Sequence, residues 1–577
     1  MAAGPHPFDV VIRGGTVADG TGAKLREADV AIRGGRIAQV GQVPGCGAEE
    51  IDARGLLVAP GFVDIHTHYD GQATWDHRMT PSSWHGVTTA VMGNCGVGFA
   101  PCRPADHDTL VRLMEGVEDI PGVVLAEGLP WNWETFPQFL DALASRHYDI
   151  DVATQLPHGA LRVYVMGQRG ADLEAATADD IASMARLARE AVEAGALGFS
   201  TSRTLNHRTS DGKPTPTLTA AEGELLGIAA ALGAAGKGVL QFVSDFLNAA
   251  EEMSMLRRLV EKSGRPLSVS LVQSDFSPNA WQRLLGAIEK AASEGLPMRA
   301  QVAGRPVGLM LGLETTLNPF GGHPSWREIA TLPLAVKVAR LRDPQFRERL
   351  LAEEPAANRS PVHAMLQNFE KMFVLGDPPD YEQPVEQSIA GRARALGVRP
   401  EELVYDAMLE GDGRGMLYFP FLNYTGNNLD PSLEMMRSPN TVLGLGDGGA
   451  HLGTICDASF TTHMLTHWTR DRRRGEKLPI ETVVRWHARD TAEAVGLFDR
   501  GRLEPGYKAD INVIDYDRLR MKPPRIVHDL PGGGRRLIQE ADGYCLAMVG
   551  GIVTYRDGAA TADLPGRLLR GARPAPE

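Results

Sequence analysis

Cysteine is scarce in this chain: five residues (Cys46, Cys95, Cys102, Cys456 and Cys545) are scattered over 577. So few, odd in number and far apart, they argue against a disulfide framework. Free thiols in a reducing compartment are expected, and a cysteine with a task acts as ligand or nucleophile. Long apolar runs are missing as well. No stretch approaches the roughly 18 residues that a membrane-spanning helix needs, and 43% hydrophobic with 23% charged residues is the composition of a soluble globular protein. The opening "MAAGPHPFDVVIRGG" lacks the basic start, apolar centre and small-residue cleavage site of a secretory signal, so the cytoplasm is the expected compartment. A basic excess is absent too. The chain carries 59 Lys and Arg against 72 Asp and Glu, a net charge of −13, and only short clusters such as "TRDRRRGEK" break the dispersion. Neither nucleic acid nor a membrane is an expected partner. A small molecule is, and a homo-oligomer stays open.

The length allows about two to four domains. Residues 8–57 hold short alternating stretches, "FDVVIRGGTVADG" and "ADVAIRGGRIAQVG", broken by Gly pairs and Asp-Gly, as in antiparallel strands with tight turns. "ADINVIDY" and "CLAMVGGIVTYRDG" repeat that style near the other end. A composite β-sandwich from 1–57 and 500–565 is expected. Between them, "TADDIASMARLAREAVEAG" reads as an amphipathic helix with Thr177 and Asp180 spaced as a capping box, followed by the strand-like "ALGFSTS". The pattern recurs with a period of about 30 residues, the length of a β/α unit.

Strands are expected near 62–67, 87–92, 151–156, 196–201, 238–243, 267–273, 297–303 and 441–446. This is the strand count of an α/β fold of the (β/α)8 TIM-barrel type, here over 58–499. Two connections, 93–150 and 304–440, are far longer than ordinary loops. The second is expected to be an inserted lid or subdomain above the C-terminal ends of the strands, where the chemistry of such barrels sits.

Those strand ends carry the candidate chemistry. In "GFVDIHTHYD", His66 and His68 share one face of a strand, so both imidazoles can close on one metal ion; the alternative is two histidines lining a turn. Cys95 in "GNCG" is either a thiolate for the same ion or a buried structural thiol. Asp447 in "LGDGGAH" is either a ligand and general base or part of an Asp-Gly turn. His451 is a proton shuttle or a surface residue. His158, after the third strand, and His207, after the fourth, are further candidates to touch substrate, with Tyr69 beside the His pair. Arg162, Arg203 and Arg208 are candidate clamps for a substrate carboxylate.

Taken together, "LVAPGFVDIHTHYD", "GNCG", "LGDGGAH" and "DRGRLEPGYKADINVID" resemble the amidohydrolase superfamily, and within it the D-aminoacylase (N-acyl-D-amino-acid deacylase) branch, over about residues 8–557. The resemblance implies a metal-bearing (β/α)8 barrel joined to a β-sandwich, and amide hydrolysis by metal-activated water. It implies His66, His68 and Cys95 as ligands, Asp447 as ligand and general base, and an N-acylated D-amino acid as substrate. In that branch a cysteine replaces the carboxylated lysine of other relatives. The sequence agrees, with no lysine between Lys24 and Lys213.

The family's histidines after strands five and six have no counterpart. Gln241 and Gln273 occupy the nearest polar positions, as weak oxygen ligands at most. One Zn2+ per chain is therefore expected, with two left open. A cyclic amide or other acyl-amine is the alternative substrate, and a catalytically inactive binding barrel the alternative of another class.

Overall fold

The computed structural model describes residues 6–356 and 360–577, so the first five residues of the expected 1–57 segment lie outside the described residues. All eight expected strands are present: β1 (Phe62–Asp64), β2 (Val87–Met92), β3 (Asp151–Thr154, resuming at Leu156–Pro157), β4 (Gly198–Arg203), β5 (Val239–Ser244), β6 (Leu267–Ser270), β7 (Met298–Val302) and β8 (Thr441–Leu443). They pair in chain order and in parallel: β1 to β3 in one sheet, the second part of β3 through β8 in another. A parallel bridge between Thr67 and Gly448 returns the order from β8 to β1.

β1, β6 and β8 each stop three residues short of their expected ends, and for β1 and β8 the reason is local. After β1, the carboxylate of Asp64 accepts the His66 amide (3.1 Å) and so removes it from the ladder. After β8, Leu445 (φ 60°) and Asp447 (φ 46°) are in the left-handed region, which no strand accommodates. Both irregular stretches carry candidate site residues.

The helices between strands follow the expected pattern. Ala178–Ala194 has the Thr177–Asp180 capping box, and buries Met184, Ala188, Ala191 and Val192 along one stripe. These residues and the strand side chains Leu240, Phe242, Val269 and Ala300 belong to one large apolar core.

A nine-stranded sheet draws on both ends of the chain: Leu57–Pro60 lies between Phe8–Val17 and Ile511–Ile514, with Tyr544–Val549 and Ile552–Arg556 beyond. Val10, Ile12, Val30, Val58, Ile511, Val513 and Met548 form its core. Segment 304–440 contributes a separate antiparallel sheet of Val307–Leu311, Leu417–Leu422 and Phe373–Val374. It has its own core, including Leu311, Trp326, Leu350, Val404 and Phe419. Among the described residues, no helix is long and apolar enough to cross a membrane.

Candidate metal centre

His66 and His68 leave β1 with their rings 5.6 Å apart. Cys95 follows β2 in a left-handed conformation (φ 55°) between Gly93 and Gly96, both at positive φ. The glycines are required here. A Cβ on Gly93 would sit 2.3 Å from the Gln155 carbonyl oxygen, and one on Gly96 would sit 3.0 Å from Thr201 Cα. Two side chains from neighbouring strands pin the strained turn: Gln241 Oε1 accepts the Cys95 amide at 3.1 Å, and Ser200 Oγ accepts that of Gly96 at 3.0 Å.

The result is a buried group in which donor atoms of His66, His68 and Cys95 lie within 4.8 Å of one another. His66 Nε2 is 3.2 Å from Cys95 Sγ. Asp447 Oδ1 is 3.4 Å from His66 Nε2 and 3.6 Å from His68 Nε2. Two imidazole nitrogens, a sulfur and a carboxylate oxygen are the donor set that suits zinc, so these residues fit a metal ion.

Burial and neighbouring charges act differently on each of these groups. Burial pushes the Cys95 thiol up to about 12, against the opposing pull of His68, so only a nearby positive charge would hold it as thiolate. Burial would raise Asp447 too, yet hydrogen bonding from His68 and the charges of His66 and His68 hold it well below the usual carboxylate range. His68 behaves oppositely: burial disfavours its charge, but Glu118 and Asp447 raise it well above the ordinary imidazole value.

Behind His66 stands a residue that no motif singles out. Gln301, on β7, accepts from His66 Nδ1 at 2.7 Å while its own amide donates to Ser268 Oγ at 2.9 Å. With its proton on Nδ1, His66 keeps the Nε2 lone pair facing the thiol. Glu118, on the long connection after β2, is the second missed residue. Its Oε1 lies 3.3 Å from His68 Nδ1 and its Oε2 3.6 Å from His451 Nε2. Neither carries a motif, because each reaches the site from a distant part of the chain.

The other candidates divide. His207 hydrogen-bonds Ser202 through Nδ1 at 2.9 Å. Burial, followed by the charges of His451 and His68, holds its pKa down at about 3. His451 reaches the group through Glu118, as described. Gln241 borders the group, but its oxygen is engaged by the Cys95 amide. Gln273 is turned elsewhere, accepting from the Thr425 amide (3.3 Å) and donating to the Pro278 carbonyl (3.5 Å).

His158 and Arg162 are fully buried and share Glu224: His158 Nε2 is 2.7 Å from Oε1, and Arg162 Nη1 reaches both oxygens. Tyr69 is also buried and bonds Ser82 Oγ at 2.7 Å. Its ring packs under the Asp447 turn, where a Cβ on Gly448 would meet its oxygen at 2.8 Å. Arg203 ends β4 with its Nε buried and without a hydrogen-bond partner. Arg208 donates to the Gly212 carbonyl at 3.1 Å.

An ordered parallel α/β fold with imidazole, thiol and carboxylate groups gathered at the ends of β1, β2 and β8 defines a class of metal-capable α/β proteins. The amidohydrolase family model matches residues 49–559, and the chain belongs to that family. A D-aminoacylase of Alcaligenes xylosoxydans xylosoxydans is 39% identical over 198 residues, a stretch spanning 34% of this chain and 38% of the relative. An uncharacterized protein of Mycobacterium tuberculosis (strain H37Rv) is 27% identical over 595 residues, covering 96% of this chain and 92% of that one. Among solved structures, a D-aminoacylase described for its binuclear metal centre is similar with a TM-score of 0.63 and 23% identity, covering 98% of this chain and all of the other. An N-acyl-D-glutamate deacylase of Bordetella bronchiseptica, complexed with zinc and a phosphonate inhibitor, has a TM-score of 0.60 and 22% identity, covering 98% of this chain and 99% of that one. At these identities the structural likeness shows the fold: an α/β fold of the amidohydrolase type.

Proposed function

We propose that this chain is a metal-dependent hydrolase of a non-peptide carbon–nitrogen amide bond, and that its substrate is an N-acyl-D-amino acid. The observation that carries the reading is the convergence of His66, His68 and Cys95 with Asp447 on one buried point. The architecture is read with it: β1 to β8 as a (β/α)8 barrel over 58–499, the two chain ends as a β-sandwich domain, and 304–440 as a lid that shapes the substrate pocket. The names of the relatives support the substrate class: one is a D-aminoacylase, another an N-acyl-D-glutamate deacylase.

In this reading His66, His68, Cys95 and Asp447 hold one zinc ion. When bound, zinc supplies Lewis acidity for the acyl oxygen and lowers the pKa of the attacking water. Gln301 holds the His66 ring in its ligating tautomer. Asp447, kept ionised by its histidine neighbours, takes the water proton and passes it to the leaving nitrogen as the water oxygen bonds to the acyl carbon and the C–N bond breaks. Arg203, which ends β4 with its Nε 3.9 Å from Glu252 Oε1 and without a hydrogen bond, is the candidate to pair with the substrate carboxylate. His207 and His451 face the substrate from the β4 and β8 loops.

A cyclic amide is the second reading. It is favoured by Gln241, which stands where the deacylase branch expects a histidine and is engaged with the Cys95 backbone. The test is a panel of N-acetylated D- and L-amino acids and cyclic imides, assayed with zinc-loaded protein. Turnover of the D series supports the first reading; turnover of imides alone replaces it with the second. No turnover on either, together with failure of the protein to take up zinc when it is supplied, would favour an inactive binding barrel.

A further inference from the structure

Glu118 ends the helix His107–Glu118, and Asp119 (φ 50°) follows it in the left-handed region. From that corner the helix grips the Asp447 loop in several ways. The Glu118 carbonyl accepts the His451 amide. The Asp119 carboxylate accepts the Gly453 amide at 3.0 Å, and also the hydroxyl of Thr316 at 3.1 Å. The Glu118 side chain itself is 1% exposed and spans two imidazoles, one oxygen to each: Oε1 to His68 Nδ1 at 3.3 Å, Oε2 to His451 Nε2 at 3.6 Å. His68 Nδ1 and Glu118 Oε1 have no hydrogen-bond partner, so burial leaves each atom only the other.

We infer that Glu118 is a positioning residue that orients His68 toward the metal and ties His451 to the same centre. A carboxylate beside Nδ1 fixes the proton there and presents Nε2, the nitrogen facing Asp447, as the ligating atom. This is the role Gln301 plays for His66, but with a charge in place of a neutral amide. The two ligands of one strand are thus held by different means: His66 from within the sheet, by β7, and His68 from the long connection after β2. The same carboxylate reaches His451, so a partly exposed imidazole is aligned by the group that aligns a ligand. The His-x-His motif then depends on a residue about 50 positions away, in a segment that adds no strand to the parallel sheets.

The inference rests on the metal reading proposed above, and the experiment separates the two. Zinc affinity of the full chain is measured by chelator competition for wild type and Glu118→Gln, with the melting temperature of each followed in excess chelator. Glutamine keeps the shape but cannot accept from both imidazoles. The expected result is a zinc affinity lower by about 10- to 100-fold, with an unchanged melting temperature in chelator. An unchanged affinity in Glu118→Gln, beside a wild type that binds zinc, overturns the positioning role and leaves the metal reading standing. A wild type that binds no zinc overturns both. Should Glu118→Gln fail to fold, Glu118→Asp, which keeps the charge but withdraws the oxygens by one methylene, is expected to weaken zinc binding likewise; wild-type affinity there overturns the inference.

Discussion

Replacing Glu382 with glutamine tests how segment 304–440 is fastened to the rest of the molecule. Glu382 belongs to that segment and is 3% exposed. It receives two parallel hydrogen bonds from Arg472, each 2.9 Å, one from His467 at 2.9 Å and one from the Leu429 amide at 3.0 Å. Burial would raise its pKa, yet the hydrogen bonds from His467 and Arg472 bring it down from 4.5 to about 2. A shift of that size corresponds to about 3 kcal/mol of folded-state stabilisation. The pKa is depressed, so the contribution is complete above the unfolded value of 4.5 and is lost as pH falls from 4.5 toward 2. Glu382→Gln removes it at neutral pH and leaves the buried Arg472 with only the more exposed Asp430 as ion-pair partner. Hydrogen exchange read by mass spectrometry at the Leu429 and Arg472 amides should be faster in the variant by roughly 100-fold. The difference in stability between the two proteins should shrink to less than half at about pH 3. Equal exchange at neutral pH, or a gap independent of pH, would refute the assignment of this stability to the Glu382 ion pair.

Three further outcomes follow from the site. Asp447→Asn should lower kcat by about 10²- to 10⁴-fold while zinc stays bound; near-normal turnover would remove Asp447 from the proton-transfer role. Gln301→Leu leaves His66 Nδ1 without its acceptor and should weaken zinc binding by about 10- to 100-fold, measured by chelator competition; wild-type affinity would show that the tautomer is set otherwise. Glu224→Ala strands the buried Arg162 and should destabilise the fold by about 3–5 kcal/mol in urea unfolding. If the variant instead keeps its stability and only KM rises, His158 and Arg162 serve substrate and not structure.

What the sequence made legible was mostly periodic or local. The eight parallel strands were visible because buried strands alternate with capped amphipathic helices at a regular spacing, as the Thr177–Asp180 box before Ala178–Ala194 illustrates. His66, His68, Cys95 and Asp447 stood out because each ends a strand beside glycine or in a short motif. Exact strand ends were less visible. The Asp64 bond to the His66 amide and the left-handed residues of the Asp447 turn depend on three-dimensional closure. Gln301 and Glu118 were hidden for a related reason: a glutamine in a strand and a glutamate at a helix end look ordinary until the fold brings them to a histidine nitrogen. His158 and Arg162 show the converse. The one was a candidate for its place after the third strand and the other as a clamp for a carboxylate, while the structure pairs both with Glu224, 62 residues beyond Arg162, in a buried network.

In the proposed reading, His66, His68, Cys95 and Asp447 form one metal site. Elemental analysis of the purified, dialysed protein tests it most directly, with Cys95→Ser and His66→Ala alongside. Zinc at about one ion per chain is expected in the wild type, with a large loss in both variants. Less than about 0.1 metal per chain in the wild type, or full retention in both variants, would contradict it.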